Sequence, residues 1–265
     1  MYSFIHSRNA FEKAIPSRPF RCSMRPSLSA AFGLVLLLAM TSSAFAFPNA
    51  PLVLAYRVTE PGADVRMQDC LVEPSKEGWR LTIHSQGASR AIVATATMET
   101  IVEEYRAPQS DTRLILRKTD SVLELTGHKG QSAVQKGYRA TAPWVASPLQ
   151  LCAAVLAGTD EIRFCTANAR QDTFWHVTLH REGTEDISIC GKRVSAVRYE
   201  YTATDFLGKS RKSTYWYRAD DGLLLAMQDQ PNANAAPTKR VELVRETPLE
   251  GVRTVAHLRG PTPPA

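Results

Sequence analysis

From Leu52 onward the chain alternates apolar and polar side chains in short runs separated by Gly, Pro, Asp and Asn. The runs are LVLAYRV (52–58), GWRLTIHS (78–85), AIVATATMETIVEEY (91–105), TRLILRK (112–118), SVLEL (121–125) and EIRFCTA (161–167) in the first part. TFWHVTLH (173–180), DISIC (186–190), KRVSAVRYEYTA (192–203), KSTYWYR (212–218), GLLLAMQ (222–228) and KRVELVR (239–245) follow. All are rich in β-branched and aromatic residues, and a period of two in such residues predicts half-buried strands. Their recurrence at roughly ten-residue spacing predicts an antiparallel sheet, sandwich or barrel rather than alternating strands and helices. The stretch 91–105 reads as one strand long enough to curl.

One segment carries the helical period instead. In SPLQLCAAVLAG (147–158), Ser147 suits an N-cap, Pro148 the first helical position, and Gln150 completes a capping box. Gly158 closes the other end. Leu149, Cys152, Ala153 and Leu156 recur on one face, so a short helix is expected to pack on the sheet.

The densest pattern lies between 192 and 228. VSAVRYEY and STYWYR are expected to pair through a turn at DFLGK (205–209), and ADDG (219–222) is expected to turn into a third strand with Gly at positive φ. Alternation puts Val197, Tyr199 and Tyr201 on one face of the first strand, with Arg198 and Glu200 on the other. Tyr215 and Tyr217 share a face of the second strand, and Leu223, Leu225 and Met227 a side of the third. Tyrosine has an apolar body and a hydroxyl that needs a partner. Four on one face suit a wet concave surface, or a core in which each hydroxyl meets backbone. On the first reading Tyr199, Tyr201, Tyr215, Tyr217 and Met227 line a ligand groove. Lys209, Arg211 and Lys212 fall at a turn and strand start, where charge keeps a loop soluble and an edge blunt.

Charge changes the picture once the N-terminus is set apart. Residues 30–40 form an apolar run too short to span a bilayer comfortably, preceded by Arg25 and followed by Ala44-Phe45-Ala46. This is the three-part form of a secretory signal peptide over 1–46, with the true start at either Met1 or Met24. That segment carries five basic residues and one acidic, so of the chain's net charge of +6 only +2 belongs to the remainder. The basic balance therefore does not indicate a nucleic-acid partner. Residues 47–259 are expected to form one β-rich domain, and 260–265 a flexible tail. Cleavage would leave no stable transmembrane anchor.

Export also colours the cysteines. Cys70, Cys152, Cys165 and Cys190 follow the cleavage site, and an even number in an oxidising compartment predicts two disulfides with three possible pairings. Nearness in sequence favours Cys152 with Cys165. No C-x-x-C, phosphate-binding glycine loop, G-x-S-x-G or H-E-x-x-H occurs, so no cofactor, metal or catalytic residue is expected. His176 and His180, four apart in a strand, would lie about 13 Å apart, too far to share an ion. Glu103 and Glu104, like Glu185 and Asp186, point to opposite faces. GHKG (127–130) reads as a turn.

GTEDISICGKRVSAVRYEYT followed by YWYRADDGLLLAM resembles an exported bacterial family of unknown function. The shared marks are a Gly183-x-Glu185 turn, Gly191, Trp216-Tyr217 and an Asp221-Gly222 turn. That family is similar in strand order to the LolA/LolB-like lipoprotein-carrier half-barrels, whose curved sheet holds acyl chains. The resemblance implies a mainly β fold: a strongly curved antiparallel sheet, an open half-barrel, with one short helix packed on it. It implies a periplasmic, non-catalytic protein binding a hydrophobic or lipid-like ligand. The alternatives are an enzyme on the same scaffold, with His176, His180 or Glu200 at the groove, and a structural envelope factor acting through an envelope protein partner.

Overall fold

The computed structural model of the chain describes residues 50–97, 99–171, 173–230 and 237–249. The signal peptide expected over 1–46 and the tail expected over 260–265 lie outside them. Among the described residues the strands are β1 (Leu52–Thr59), β2 (Arg66–Pro74), β3 (Gly78–Ser85), β4 (Ala88–Thr95), β5 (Thr100–Ala107), β6 (Thr112–Thr119), β7 (Val122–Lys129) and β8 (Ser132–Arg139). A 3-10 turn (Pro148–Leu151) and helix α1 (Cys152–Leu156) follow. The chain then forms β9 (Glu161–Asn168), β10 (Thr173–Ile189), β11 (Lys192–Thr204), β12 (Ser210–Arg218), β13 (Leu224–Gln230) and β14 (Lys239–Pro248).

All fourteen join one antiparallel sheet in the order β8-β7-β6-β5-β4-β3-β2-β1-β14-β13-β12-β11-β10-β9. Two meanders, β1–β8 and β9–β14, are zipped together where β14 returns beside β1. The sheet is strongly curved and does not close into a barrel by backbone hydrogen bonds. Its two ends meet through side chains: Tyr138 of β8 stacks on Phe174 of β10, with centroids 5.5 Å apart. Lys129 Nζ also donates to the Arg170 carbonyl at 3.0 Å.

The inward rows follow from period-two alternation. Across the first meander Leu125, Leu116, Glu103, Ile92, Leu81, Val72 and Leu52 are successive register partners. All are buried, and only Glu103 is polar. Gly127 is needed inside β7: its φ is +137°, and a Cβ there would lie 2.1 Å from the Arg113 carbonyl oxygen. It is thus a close-approach position within a strand, and the turn expected at GHKG begins only after Lys129.

Several expected boundaries shift for local reasons. The single long strand expected over 91–105 is two, because the chain reverses after Thr95. Thr95 N–H donates to the Glu99 carbonyl at 2.8 Å, and Thr95 Oγ1 accepts from Glu99 N–H at 3.1 Å. Conversely, TFWHVTLH and DISIC belong to one seventeen-residue strand. The register shift between Arg181 and Gly183 is a bulge, so Gly183 marks an irregularity in β10 and not a turn. Strands β2 and β8 escape the hydrophobic pattern because residues 66–69 and 132–139 are exposed or half-exposed and carry few apolar side chains.

The cap expected at Ser147 is present in full. Ser147 Oγ accepts from Leu149 N–H, and Gln150 Oε1 accepts from Ser147 N–H at 2.9 Å. The buried side is Leu149, Leu151, Cys152 and Val155, whereas Ala153 and Leu156 are half-exposed. The opening 3-10 turn rotates the face away from a regular 3.6 period. Gly222 seats the β12–β13 turn on this helix: its φ is +70°, and a Cβ would sit 2.5 Å from the Cys152 carbonyl oxygen.

Residues 140–146, for which the sequence pattern predicts no element, join the two meanders. Cys165 N–H donates to the Pro143 carbonyl at 2.8 Å and Val145 N–H to the Cys165 carbonyl at 2.9 Å, a short parallel bridge along the edge of β9. The Trp144 carbonyl accepts from Thr100 N–H at 2.8 Å. Trp144 itself is fully buried. This segment and the helix that follows fill part of the hollow of the sheet.

The expected disulfides are absent: Cys70, Cys152, Cys165 and Cys190 are free thiols. They sit on β2, on α1, on β9 and at the β10–β11 turn, each already engaged by its own surroundings. Cys165 Sγ donates to the Ala142 and Pro143 carbonyls at 3.5 Å, and Cys190 Sγ to the Leu243 carbonyl at 3.6 Å. Burial pushes the Cys70 and Cys152 thiols up to about 12 and Cys165 to about 11. Such thiols behave as small apolar core groups.

Candidate functional site

The three-stranded pattern of β11, β12 and β13 places the tyrosines as alternation requires. Tyr199 pairs with Tyr215, Val197 with Tyr217, and Tyr215 with Met227. All four tyrosines turn inward and are buried. Their rings form a continuous set: Tyr199 meets Tyr217 edge-on at 5.9 Å, Tyr217 stacks on Tyr215 at 6.3 Å, and Tyr215 lies 5.0 Å from Tyr201. A bulge between Trp216 and Tyr217 alters the third strand. Leu224, not Leu223, stands opposite Tyr217.

The set divides into two environments. Tyr199 and Tyr217 lie beneath the helical connection, where their hydroxyls donate to the Thr159 carbonyl at 2.9 Å and the Pro148 carbonyl at 3.3 Å. These two are core residues with satisfied hydroxyls. Tyr201, Tyr215 and Met227 instead face a cavity of about 360 Å³ in the hollow of the sheet. Its far wall is Tyr56, Ile83, Arg90, Glu103 and Tyr105 from the first meander, and its roof is the 145–151 segment. Phe164 and Trp175 complete the aromatic wall.

The cavity wall also carries many polar groups, among them Arg90, Glu103, Thr166, Asn168 and Arg170. Arg90 Nε donates to Glu103 Oε1 at 2.7 Å, and Arg90 Nη2 donates to the Ala146 carbonyl at 2.8 Å. The pair therefore ties β4 and β5 to the crossing segment. Burial works against the Arg90 charge, but the adjacent Glu103 carboxylate outweighs it and holds the guanidinium above its ordinary value. Glu103 Oε2 is buried and has no hydrogen-bond partner among the described residues. Arg211 lies over the Trp175 ring, 4.9 Å from its centroid, and with Lys239 brings positive charge to the same wall. Desolvation pushes the Tyr215 and Tyr217 hydroxyls well above 10 and raises Tyr201 as well. These phenols are neutral donors, not bases.

The other polar candidates lie elsewhere. His176 and His180 are exposed on β10, and His176 packs edge-on against Phe174 at 5.1 Å. Glu200 pairs with Lys212 at 2.8 Å on the outer face. None of the three lines the cavity, and they do not converge with one another. Glu104 also points outward, to Arg106 and Arg113. Sequence reasoning missed Arg90, Glu103, Tyr56 and Trp175. One signal was present: Glu103 has the same parity as Tyr105 within β5, which places a carboxylate on the apolar face.

No protein-family model matches the chain, and no curated protein matches it significantly. Among solved structures it is similar to the hypothetical lipoprotein YmcC of Escherichia coli, at 16% identity and a TM-score of 0.39, over 76% of this chain and 90% of that one. It is also similar to a protein of Bacteroides fragilis with a YmcC-like fold, at 8% identity and a TM-score of 0.30, over 74% and 95% of the two chains. Likenesses this distant say nothing of function, nor do they bear on the resemblance to lipoprotein carriers. Among the described residues no helix is long and apolar enough to cross a membrane.

Proposed function

We propose that the chain is an exported binding protein that holds one small amphipathic, lipid-like ligand in the hollow of its curved sheet. The observation that carries the reading is the cavity of about 360 Å³ walled by Tyr201, Tyr215, Met227, Phe164 and Trp175. Ligand sites of this kind occupy roughly 300–1,000 Å³ and are mostly apolar with a few placed polar groups. The signal-like N-terminal segment supports export. The raised phenols supply hydrogen bonds rather than proton abstraction. Binding would draw on burial of the apolar chain, about 0.8 kcal/mol for each methylene removed from water.

Native mass spectrometry of gently purified protein, followed by organic extraction and mass analysis of the extract, tests the proposal. A discrete adduct released on denaturation is the expected result. Protein that is consistently free of adduct, and whose melting temperature no amphiphile raises, would overturn it.

A further inference from the structure

We infer that Glu103 is the acceptor for a hydrogen-bond donor on the ligand, so that the ligand is an apolar chain ending in a neutral O–H or N–H group. The inference rests on the cavity being a ligand site. Register places this carboxylate in a row otherwise made of Leu125, Leu116, Ile92, Leu81, Val72 and Leu52, and it is only 1% exposed. A buried carboxylate has lost its hydration and needs partners on both oxygens. Oε1 has Arg90 Nε at 2.7 Å, whereas Oε2 has no hydrogen-bond partner among the described residues. The apolar neighbours in its row offer no donor, and Glu103 lines the cavity. The unpaired acceptor therefore belongs to a side chain of the cavity wall.

A purely structural role requires less than a carboxylate. Arg90 holds the crossing segment through the Ala146 carbonyl, and balancing its charge through Nε engages only one oxygen of the Glu103 carboxylate. The second oxygen is the part that anchoring does not use. Charge narrows the donor. Arg90, Arg170, Arg211 and Lys239 outnumber the one carboxylate on the cavity wall, which disfavours an ammonium group. A ligand carboxylate would suit that positive excess, but at neutral pH it has no proton to donate to Glu103. A hydroxyl or amide N–H satisfies both conditions.

Isothermal titration calorimetry of the full chain with 1-decanol and with decanoate at pH 8 reads the preference directly. The wild type is expected to bind 1-decanol at least tenfold more tightly. In Glu103→Gln the amide presents an N–H where Oε2 stood, and the decanol-to-decanoate ratio is expected to fall about 10- to 100-fold, the range of a hydrogen bond to a charged group. If that variant does not fold, the wild-type ratio alone decides. Equal affinities in the wild type, or an unchanged ratio in a folded Glu103→Gln, would overturn the inference while leaving the ligand site standing. Failure of the wild type to bind either probe would overturn both.

Discussion

Removing the Arg90 side chain should be among the most damaging single changes in this protein. Arg90→Ala deletes the 2.7 Å contact to Glu103 Oε1 and the 2.8 Å bond to the Ala146 carbonyl. It leaves a carboxylate 1% exposed among leucine, isoleucine and valine. Removing one partner of a buried ion pair costs about 3–5 kcal/mol, because the other charge stays in low dielectric without compensation. A domain of this size has roughly 5–15 kcal/mol in total, so the variant should lose about a fifth or more of its stability. At about 2–4 °C per kcal/mol the melting temperature should fall by roughly 6–20 °C. The double variant Arg90→Met, Glu103→Leu continues the apolar row and removes both charges. Replacing such a pair by apolar residues is often neutral or stabilising, so the double variant should unfold within about 1 kcal/mol of wild type or above it, less the lost bond to Ala146. Urea unfolding followed by circular dichroism at pH 7.5 measures all three proteins. A single variant within 1 kcal/mol of wild type, or a double variant as unstable as the single one, would refute the claim that the carboxylate is buried and dependent on Arg90.

Gly222→Ala should cost at least about 2 kcal/mol, from an alanine at positive φ and a Cβ 2.5 Å from the Cys152 carbonyl oxygen; a neutral effect in the same unfolding assay would mean the hairpin does not seat on α1. Tyr217→Phe should lose about 1 kcal/mol with its bond to the Pro148 carbonyl, and no change would argue against a satisfied core hydroxyl. In the native protein a thiol reagent at pH 8 should modify exposed Cys190, while Cys70, Cys152 and Cys165, pushed to about 12, 12 and 11, react only on unfolding; protein denatured without reductant that lacks these thiols would restore the disulfides. Tyr56, Tyr215 and Tyr217 have folded values raised above the unfolded value near 10. Their contribution to stability is complete below that value and is lost as pH rises through the folded ones, so tyrosinate absorbance at 295 nm should appear together with alkaline unfolding. Full reversible titration at pH 10 in a folded protein would contradict this.

How far the chain alone reveals this architecture differs by element. The hairpins β11–β12–β13, the Asp221-Gly222 turn and the capped helix were legible because each is determined within about twenty residues, by alternation, turn chemistry and a capping box. Their repetition left an antiparallel sheet, a sandwich or a barrel open, and the strongly curved open sheet was what the family resemblance implied. Boundaries failed where a side chain bonds its own backbone, as at Thr95, or where a glycine lets a strand continue through a bulge, as at Gly183. Within the candidate site, alternation places Tyr199, Tyr201, Tyr215 and Tyr217 on one face. It has no means of telling Tyr199 and Tyr217, which the helical connection covers, from Tyr201 and Tyr215, which face open space.

That distinction is a matter of long-range packing. Arg90 and Glu103 meet from adjacent strands only because a register between β4 and β5 brings them together, and Ala146 joins them from a connection the pattern left unassigned. The cysteines show the same limit: their number is a property of the chain, whereas their separation on β2, α1, β9 and a turn is a property of the fold. Local periodicity and turn chemistry therefore decided the elements and the inward faces of this protein. Only the rolled sheet, by bringing residues from opposite ends of the chain into one hollow, decided which inward groups are sealed and which border the cavity.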